Sequence, residues 1–199
     1  MEAGKSYREL LAEQCSGIVS KVLRGMKEAK VSEIKLKTTN PILYRWLFPI
    51  EPESELFKAV DAFYNDSKAN PKHENILEGL PKIEKDGKLY YALYFGKSNK
   101  GSRRYRQHKS GNVHLSTLRH TIYGLCVGPE YDKEKEKIVD NILQNCYCEW
   151  YEFKEEGNLV ECIEGICIAL GKYPLNVEGN PNISDEWRQY VLGKRKLIE

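Results

Sequence analysis

The chain lacks any apolar run approaching the roughly 20 residues that cross a bilayer, which excludes a membrane-spanning helix. Its opening stretch, MEAGKSYRELLAEQ, has charge throughout and no apolar core of the kind a secretion signal carries. A cytoplasmic setting with reduced thiols is therefore expected for the six cysteines, in a chain too large and core-rich to need disulfide staples. A second close Cys/His pair is also missing. Cys146-x-Cys148, even with His114 and His120, does not complete a structural zinc tetrad, and buried cysteines acting as small apolar residues account for the pair better. The most informative absence is of acid: from Gly87 to Pro129 there is no Asp or Glu.

That window holds Lys88, Lys97, Lys100, Arg103, Arg104, Arg106, Lys109 and Arg119, together with His108, His114 and His120. The formal net charge is only +2, so the excess is local, and acid returns from Glu130 to Glu136. A solvated basic face is the ordinary fate of such clusters, but carboxylates normally intersperse on one. Their absence points to a surface for a polyanion. At 199 residues, with 41% apolar and 30% charged residues, the chain can bury a core in one domain with a sizeable extension.

Apolar residues at helical spacing predict a helix over Tyr7 to Met26, on Leu10, Leu11, Ile18, Val19, Val22 and Leu23. Ile34-Lys35-Leu36 reads as a short strand, and Pro41 and Pro49 as breaks in the segment that follows. Ser54 to Phe63 reads as a helix with Ser54 at its N-cap. Polar residues from Asp66 to Glu74 mark a boundary. Beyond it, Leu80 to Glu84 and Leu89 to Phe95 flank Asp86-Gly87, a favoured hairpin turn. Strict alternation would place Tyr90, Ala92 and Tyr94 on one face and Tyr91, Leu93 and Phe95 on the other. Helices are predicted over Arg103 to Lys109, Ser116 to Cys126, Asp132 to Asn145 and Asn158 to Leu170, with CYCEWYEF, ending at Phe153, as a strand before the last. The expected fold is α+β: a small three-stranded, mainly antiparallel sheet flanked by helices. It is divided into a mainly helical N-terminal extension (1–74), a core (75–180) and a basic C-terminal tail (181–199) that includes Arg188 and Lys194 to Lys196.

The residues with chemical potential begin at Tyr94-Phe95-Gly96-Lys97-Ser98. Gly96 lets the backbone turn and come close to a ligand. Arg104 and His108 stand four apart, so one helix face carries both toward the same phosphate. A tyrosine, a guanidinium and an imidazole suit phosphodiester chemistry, in which arginine offsets transition-state charge while tyrosine or histidine handles a water. Glu164 lies among Ile163, Ile166, Cys167, Ile168 and Leu170, an expensive place for a carboxylate without a partner or metal. Glu161, one turn earlier, is the alternative, and Asn176 follows Pro174. Arg103, Tyr105, Arg106 and Lys109 are candidates for a phosphate path.

Tyr94-Phe95-Gly96-Lys97 resembles the second half of the GIY-YIG nuclease signature, and Arg104 and His108 sit where that family places an arginine and a histidine. The stretch from Glu164 to Asn176, EGICIALGKYPLN, looks like the family's pattern of a metal-holding glutamate followed by an asparagine. The resemblance covers about half the chain. It implies a metal-dependent DNA endonuclease of restriction or repair type, with restriction favoured and Glu164 holding Mg2+ or Mn2+. In that reading Tyr94, Arg104, His108 and Glu164 are catalytic, while Lys97, Arg103, Tyr105, Arg106, Lys109 and Asn176 hold double-stranded DNA. Cutting both strands with one site per chain favours a homodimer or two successive nicks. The first half of the signature departs: Gly79-Leu80-Pro81 stands where Gly-Ile-Tyr is expected, with Ile83 near the tyrosine position. That leaves Tyr94, His108 or Tyr90 as the general base, and a catalytically silent DNA-binding module as the competing reading. A protein-interaction module with a basic face would instead have no DNA affinity.

Overall fold

The computed structural model describes residues 7–154 and 159–198, with side chains from residue 16 onward. The predicted contributions of Leu10 and Leu11, and the start of the last predicted helix at Asn158, lie outside what is described. The elements run α1 (Tyr7–Arg24), β1 (Lys27–Lys30), β2 (Ile42–Pro49), α2 (Glu55–Asn65), β3 (Lys82–Lys85), β4 (Lys88–Ser98), α3 (Arg103–Ser110), α4 (Thr117–Cys126), α5 (Glu136–Gln144), β5 (Tyr147–Glu152), α6 (Val160–Leu170) and α7 (Asp185–Lys196). None of the described helices is long and apolar enough to cross a membrane.

The expected three-stranded sheet is corrected to a five-stranded one, ordered β1-β5-β2-β4-β3 with every pair antiparallel. The fold remains α+β. Two strands escaped the sequence for opposite reasons. The β2 sequence ILYRWLFP is almost continuously buried and sits centrally between β4 and β5, so it shows a run where alternation marks only half-buried strands. Pro41 precedes it and Pro49 ends it, so the prolines bound the strand instead of breaking the segment. The β1 sequence KEAK has no strand signature at all. It forms because β5 offers it a ladder, and its charges suit an edge position. Conversely, Ile34-Lys35-Leu36 lies in a loop that packs Ile34 into the core.

The β3–β4 hairpin forms as expected, with Asp86 (φ 52°) and Gly87 (φ 72°) both left-handed at the turn. Further along β4 the pattern shifts. Leu47 pairs with Ala92 while its neighbour Trp46 pairs with Tyr94, so Leu93 is an extra, bulged residue. The bulge overturns the simple alternation. Leu93 and Tyr94 both join the cluster of Tyr44, Trp46, Tyr105, Leu118 and Ile122, under α3 and α4. Tyr90, Ala92 and Phe95 join the other cluster, with Val19 and Val22 of α1 and Ile163 and Cys167 of α6. A third cluster places Trp187 and Val191 of α7 against Val60 and Phe63 of α2. Helix α2 is capped as predicted, Ser54 Oγ accepting from Phe57 N–H.

Candidate active site

The site is built around Gly96. Tyr44 on β2 pairs with Gly96 on β4, and Tyr94 precedes it by two residues on the same face. A Cβ on Gly96 would lie 3.0 Å from Tyr44 Cε2 and 3.0 Å from Tyr94 Cε1. Only a glycine lets the two rings close over this point of the sheet.

Both rings converge on His108 of α3. Tyr44 Oη lies 2.9 Å from His108 Nε2 and donates to the Lys97 carbonyl at 3.2 Å. Tyr94 meets the imidazole edge-on, 5.3 Å between centroids. On its far side His108 Nδ1 lies 2.6 Å from Ser116 Oγ, which also caps α4 by accepting from Arg119 N–H at 3.2 Å. The imidazole is thus pinned at both nitrogens. Burial first, then the Arg104 and Arg119 guanidiniums, push it down from 6.5 to about 3, so it is neutral at ordinary pH. Burial raises both phenols; Tyr94 adds to the rise of Tyr44, and Arg104 opposes both.

Arg104 is held from behind. Its Nη1 donates to the Leu115 carbonyl at 3.0 Å and its Nη2 to Thr117 Oγ1 at 3.2 Å. The guanidinium acts electrostatically on Tyr44, Tyr94 and His108 alike.

Glu164 of α6 closes the site from the opposite layer. Its side chain is 20% exposed, and Lys97 Nζ stands 3.3 Å from its carboxylate. The Lys97 backbone N–H also faces that carboxylate; burial raises the Glu164 pKa and these two partners oppose the rise. Glu161 is 66% exposed and takes the same ammonium at 2.8 Å. The pair therefore divides into an inner and an outer carboxylate sharing one lysine. No group of three or more His, Cys, Asp or Glu side chains fit for a metal occurs among the described residues. A single half-buried carboxylate already facing a cation does fit one hard divalent ion that keeps waters and takes further oxygens from a phosphate. It does not fit a multi-carboxylate cage.

The remaining predicted site residues separate. Asn176 makes two 2.7 Å bonds to Phe95, accepting from its N–H and donating to its carbonyl, so it replaces a neighbouring strand where β3 has stopped pairing. Tyr105 is only 1% exposed and stacks on Trp46 at 5.6 Å, inside the core and away from any phosphate path. Lys109 Nζ donates to the Ile34 carbonyl at 2.9 Å, while Arg103 and Arg106 are exposed. The acid-free block is not acid-free in space. Lys88 meets Glu51, Lys97 meets the α6 glutamates, and buried Arg119 meets Asp140 at 2.7 Å. Tyr90 packs against Tyr147 on the opposite face of the sheet, which removes it as a substitute base.

Sequence reasoning missed Tyr44. Its signal was Ile42-Leu43-Tyr44 at the start of β2, an apolar-apolar-tyrosine triplet beside Gly96 in the sheet. A local motif places this tyrosine in the hairpin just before Tyr94, whereas α2, a long connection and β3 separate β2 from β4. Ser116 and Thr117 carried no signal beyond their residue type, and Arg195 was marked only as part of the basic tail, with nothing local to place it on α4.

The sequence model of the GIY-YIG catalytic domain matches residues 42–197, and the chain belongs to that family. The match begins at Ile42, so it takes in the strand that carries Tyr44, and it ends beyond α7. A nuclease-type function acting on DNA follows in general terms. Comparisons with curated proteins and with solved structures found no match.

Proposed function

We propose that the protein is a metal-dependent DNA endonuclease, of restriction type, whose general base is Tyr44 acting with His108. The observation that carries this reading is the 2.9 Å contact between Tyr44 Oη and His108 Nε2, beside Gly96 and within the field of Arg104. In the reaction the Tyr44 hydroxyl turns from the Lys97 carbonyl to His108 Nε2, and a water attacking phosphorus loses its proton to Tyr44 Oη as the phenolic proton passes to that nitrogen. A buried neutral imidazole resists that proton, first through burial and then because the Arg104 and Arg119 charges also hold its pKa down. A phosphodiester seated on Arg104 offsets that charge, so base strength is coupled to substrate. Arg104, already anchored on the Leu115 carbonyl and Thr117, needs little reorganisation to stabilise the extra negative charge at phosphorus. Tyr94 borders the same space and orients the water or the phosphate.

Glu164 is the residue to hold magnesium or manganese, with Lys97 retreating toward Glu161. When bound there, the ion would polarise the phosphoryl oxygen and neutralise charge on the leaving oxygen. Exposed Arg103 and Arg106 are placed to follow the duplex backbone. One site per chain cuts one strand, so double-strand breaks would come from a homodimer or from two nicks.

Cleavage of supercoiled plasmid with magnesium tests the proposal, comparing wild type with Tyr44→Phe and Glu164→Gln. Wild type should nick or linearise the plasmid, EDTA should stop it, and both variants should be silent. Failure of the wild type to cut any of a varied set of DNA substrates with either ion would leave a binding module instead. Tyr44 supports the enzyme over a silent DNA-binding module, because it offers beside Gly96 the phenol that Gly79-Leu80-Pro81 lacks.

A further inference from the structure

The C-terminal helix brings a second arginine to the catalytic face. Arg195, in the last turn of α7, lays its guanidinium along α4, with Nε and Nη2 donating to Thr121 Oγ1 at 2.9 and 2.6 Å. Thr117, which holds Arg104 Nη2, is four residues earlier on the same helix, and Thr121 Oγ1 itself donates to the Thr117 carbonyl at 2.8 Å. The two guanidiniums are therefore docked on neighbouring positions of one helix face, about one turn apart, roughly 5–6 Å. Both arginines act electrostatically on Tyr94, against the rise that burial imposes on its phenol. Arg195 is largely enclosed, its side chain 11% exposed, and its only carboxylate partner among the described residues is Glu178 at 3.2 Å. Glu178 is itself 78% exposed, so it is an anion that solvent or a ligand can replace at small cost.

An enclosed guanidinium, oriented by a hydroxyl, beside the proposed reaction centre and covered by a loosely held carboxylate is the arrangement of a phosphate subsite with an internal stand-in. We infer that Arg195, with Thr117 and Thr121 fixing the geometry, binds the DNA phosphate adjacent to the scissile one, and that Glu178 occupies this subsite until DNA displaces it. The inference rests on the endonuclease reading of Tyr44, Arg104 and Glu164. It adds that recognition of the strand uses two neighbouring phosphates, and that α7 is part of the binding surface.

The test is equilibrium binding of a duplex oligonucleotide in EDTA, so that no cleavage intervenes, across a series of salt concentrations. Arg195→Gln should weaken binding roughly 10-fold at low salt and reduce the slope of log affinity against log salt by about 1. Because Arg195 is enclosed, its loss could loosen α7. Glu178→Gln, at an exposed position, avoids that problem and should tighten binding about threefold, up to the worth of an exposed ion pair. Inorganic phosphate, added as competitor, should bind wild type far more weakly than the duplex does; equal competition would assign the subsite to a free phosphate and overturn the inference. An unchanged salt slope in Arg195→Gln, or unchanged affinity in Glu178→Gln, would also overturn it while leaving plasmid cleavage intact. Loss of cleavage by wild type with the Arg195 and Glu178 effects preserved would instead remove the nuclease reading and keep the subsite. Absence of any duplex binding by wild type would remove both.

Discussion

On one face of the sheet Tyr90 meets Tyr147 edge-on, 4.9 Å between centroids, inside a layer formed with α1 and α6. On the other, Tyr44 and Tyr94 meet His108, Ser116 and Arg104. The same residue type, on neighbouring and even identical strands, packs in an apolar layer on one side and meets a buried imidazole on the other. The difference lies in what the covering helices bring. The described buried residues of α1 and α6 are Val19, Val22, Val160, Ile163 and Cys167, so Tyr90 finds an apolar environment. Helices α3 and α4 bring an imidazole, a hydroxyl and a guanidinium, so the phenols opposite gain partners whose state depends on charge.

The largest effects should come from removing single atoms on the reactive face. Tyr44→Phe deletes one hydroxyl from a buried ring and should lower the cleavage rate about 10²–10⁴-fold, the range for a general base. Single-turnover cleavage measures it, and a rate within a factor of a few of wild type would remove Tyr44 from the mechanism. Arg104→Lys keeps a charge but loses the fork held on Leu115 and Thr117, and should cost about 10²–10³-fold in the same assay.

The apolar face should answer in stability instead. Val22→Ala, on the one helix of this face that carries no site residue, opens a cavity beneath α1 and should cost about 1–3 kcal/mol in denaturant unfolding. Turnover measured well below its transition should stay within a few-fold of wild type. If Val22→Ala instead abolished turnover in fully folded protein, the two faces would not be separable.

Acid should separate the faces as well. His108 titrates near 3 when folded against 6.5 when unfolded, so between those values the unfolded chain binds the extra proton. Its contribution to stability is complete above 6.5 and is lost as pH falls toward 3. Thermal unfolding of wild type should weaken over that window more steeply than that of His108→Gln. Parallel pH profiles would mean that the imidazole is not held neutral. Smallest of all, Tyr90→Phe should leave the cleavage rate unchanged within about twofold, as an apolar-face ring whose hydroxyl serves no step.

Much of the reactive face was legible one strand at a time. Arg104, His108 and Glu164 were readable because local spacing, i to i+4 on a helix or a carboxylate in an apolar stretch, marks them, and Tyr94 and Gly96 as a short motif, although the bulge and not alternation sets the face of Tyr94. The hairpin at Asp86-Gly87 and the cap at Ser54 were readable for the same local reason. Residues whose role depends on distant chain were not. Tyr44 reaches Gly96 only through sheet pairing, and Ser116 reaches His108 only because α3 and α4 fold together. The acid-free block misled in a related way: its lysines and arginines looked free along the chain, and several meet carboxylates from the loop after β2, from α5 and from α6 in space.

The amino-acid sequence by itself determined the class of chemistry. A tyrosine, a glycine, an arginine and a histidine in order, with one costly glutamate downstream, restrict the options through residue type and helical period alone. Tertiary structure decided which tyrosines reach His108. A one-residue bulge at Leu93 turns Tyr94 toward His108 and Tyr90 away from it, and a central strand with no alternation delivers Tyr44 to the same imidazole. Neither event has a local signature, because strand register is fixed by the energy of the whole sheet and its two packed faces.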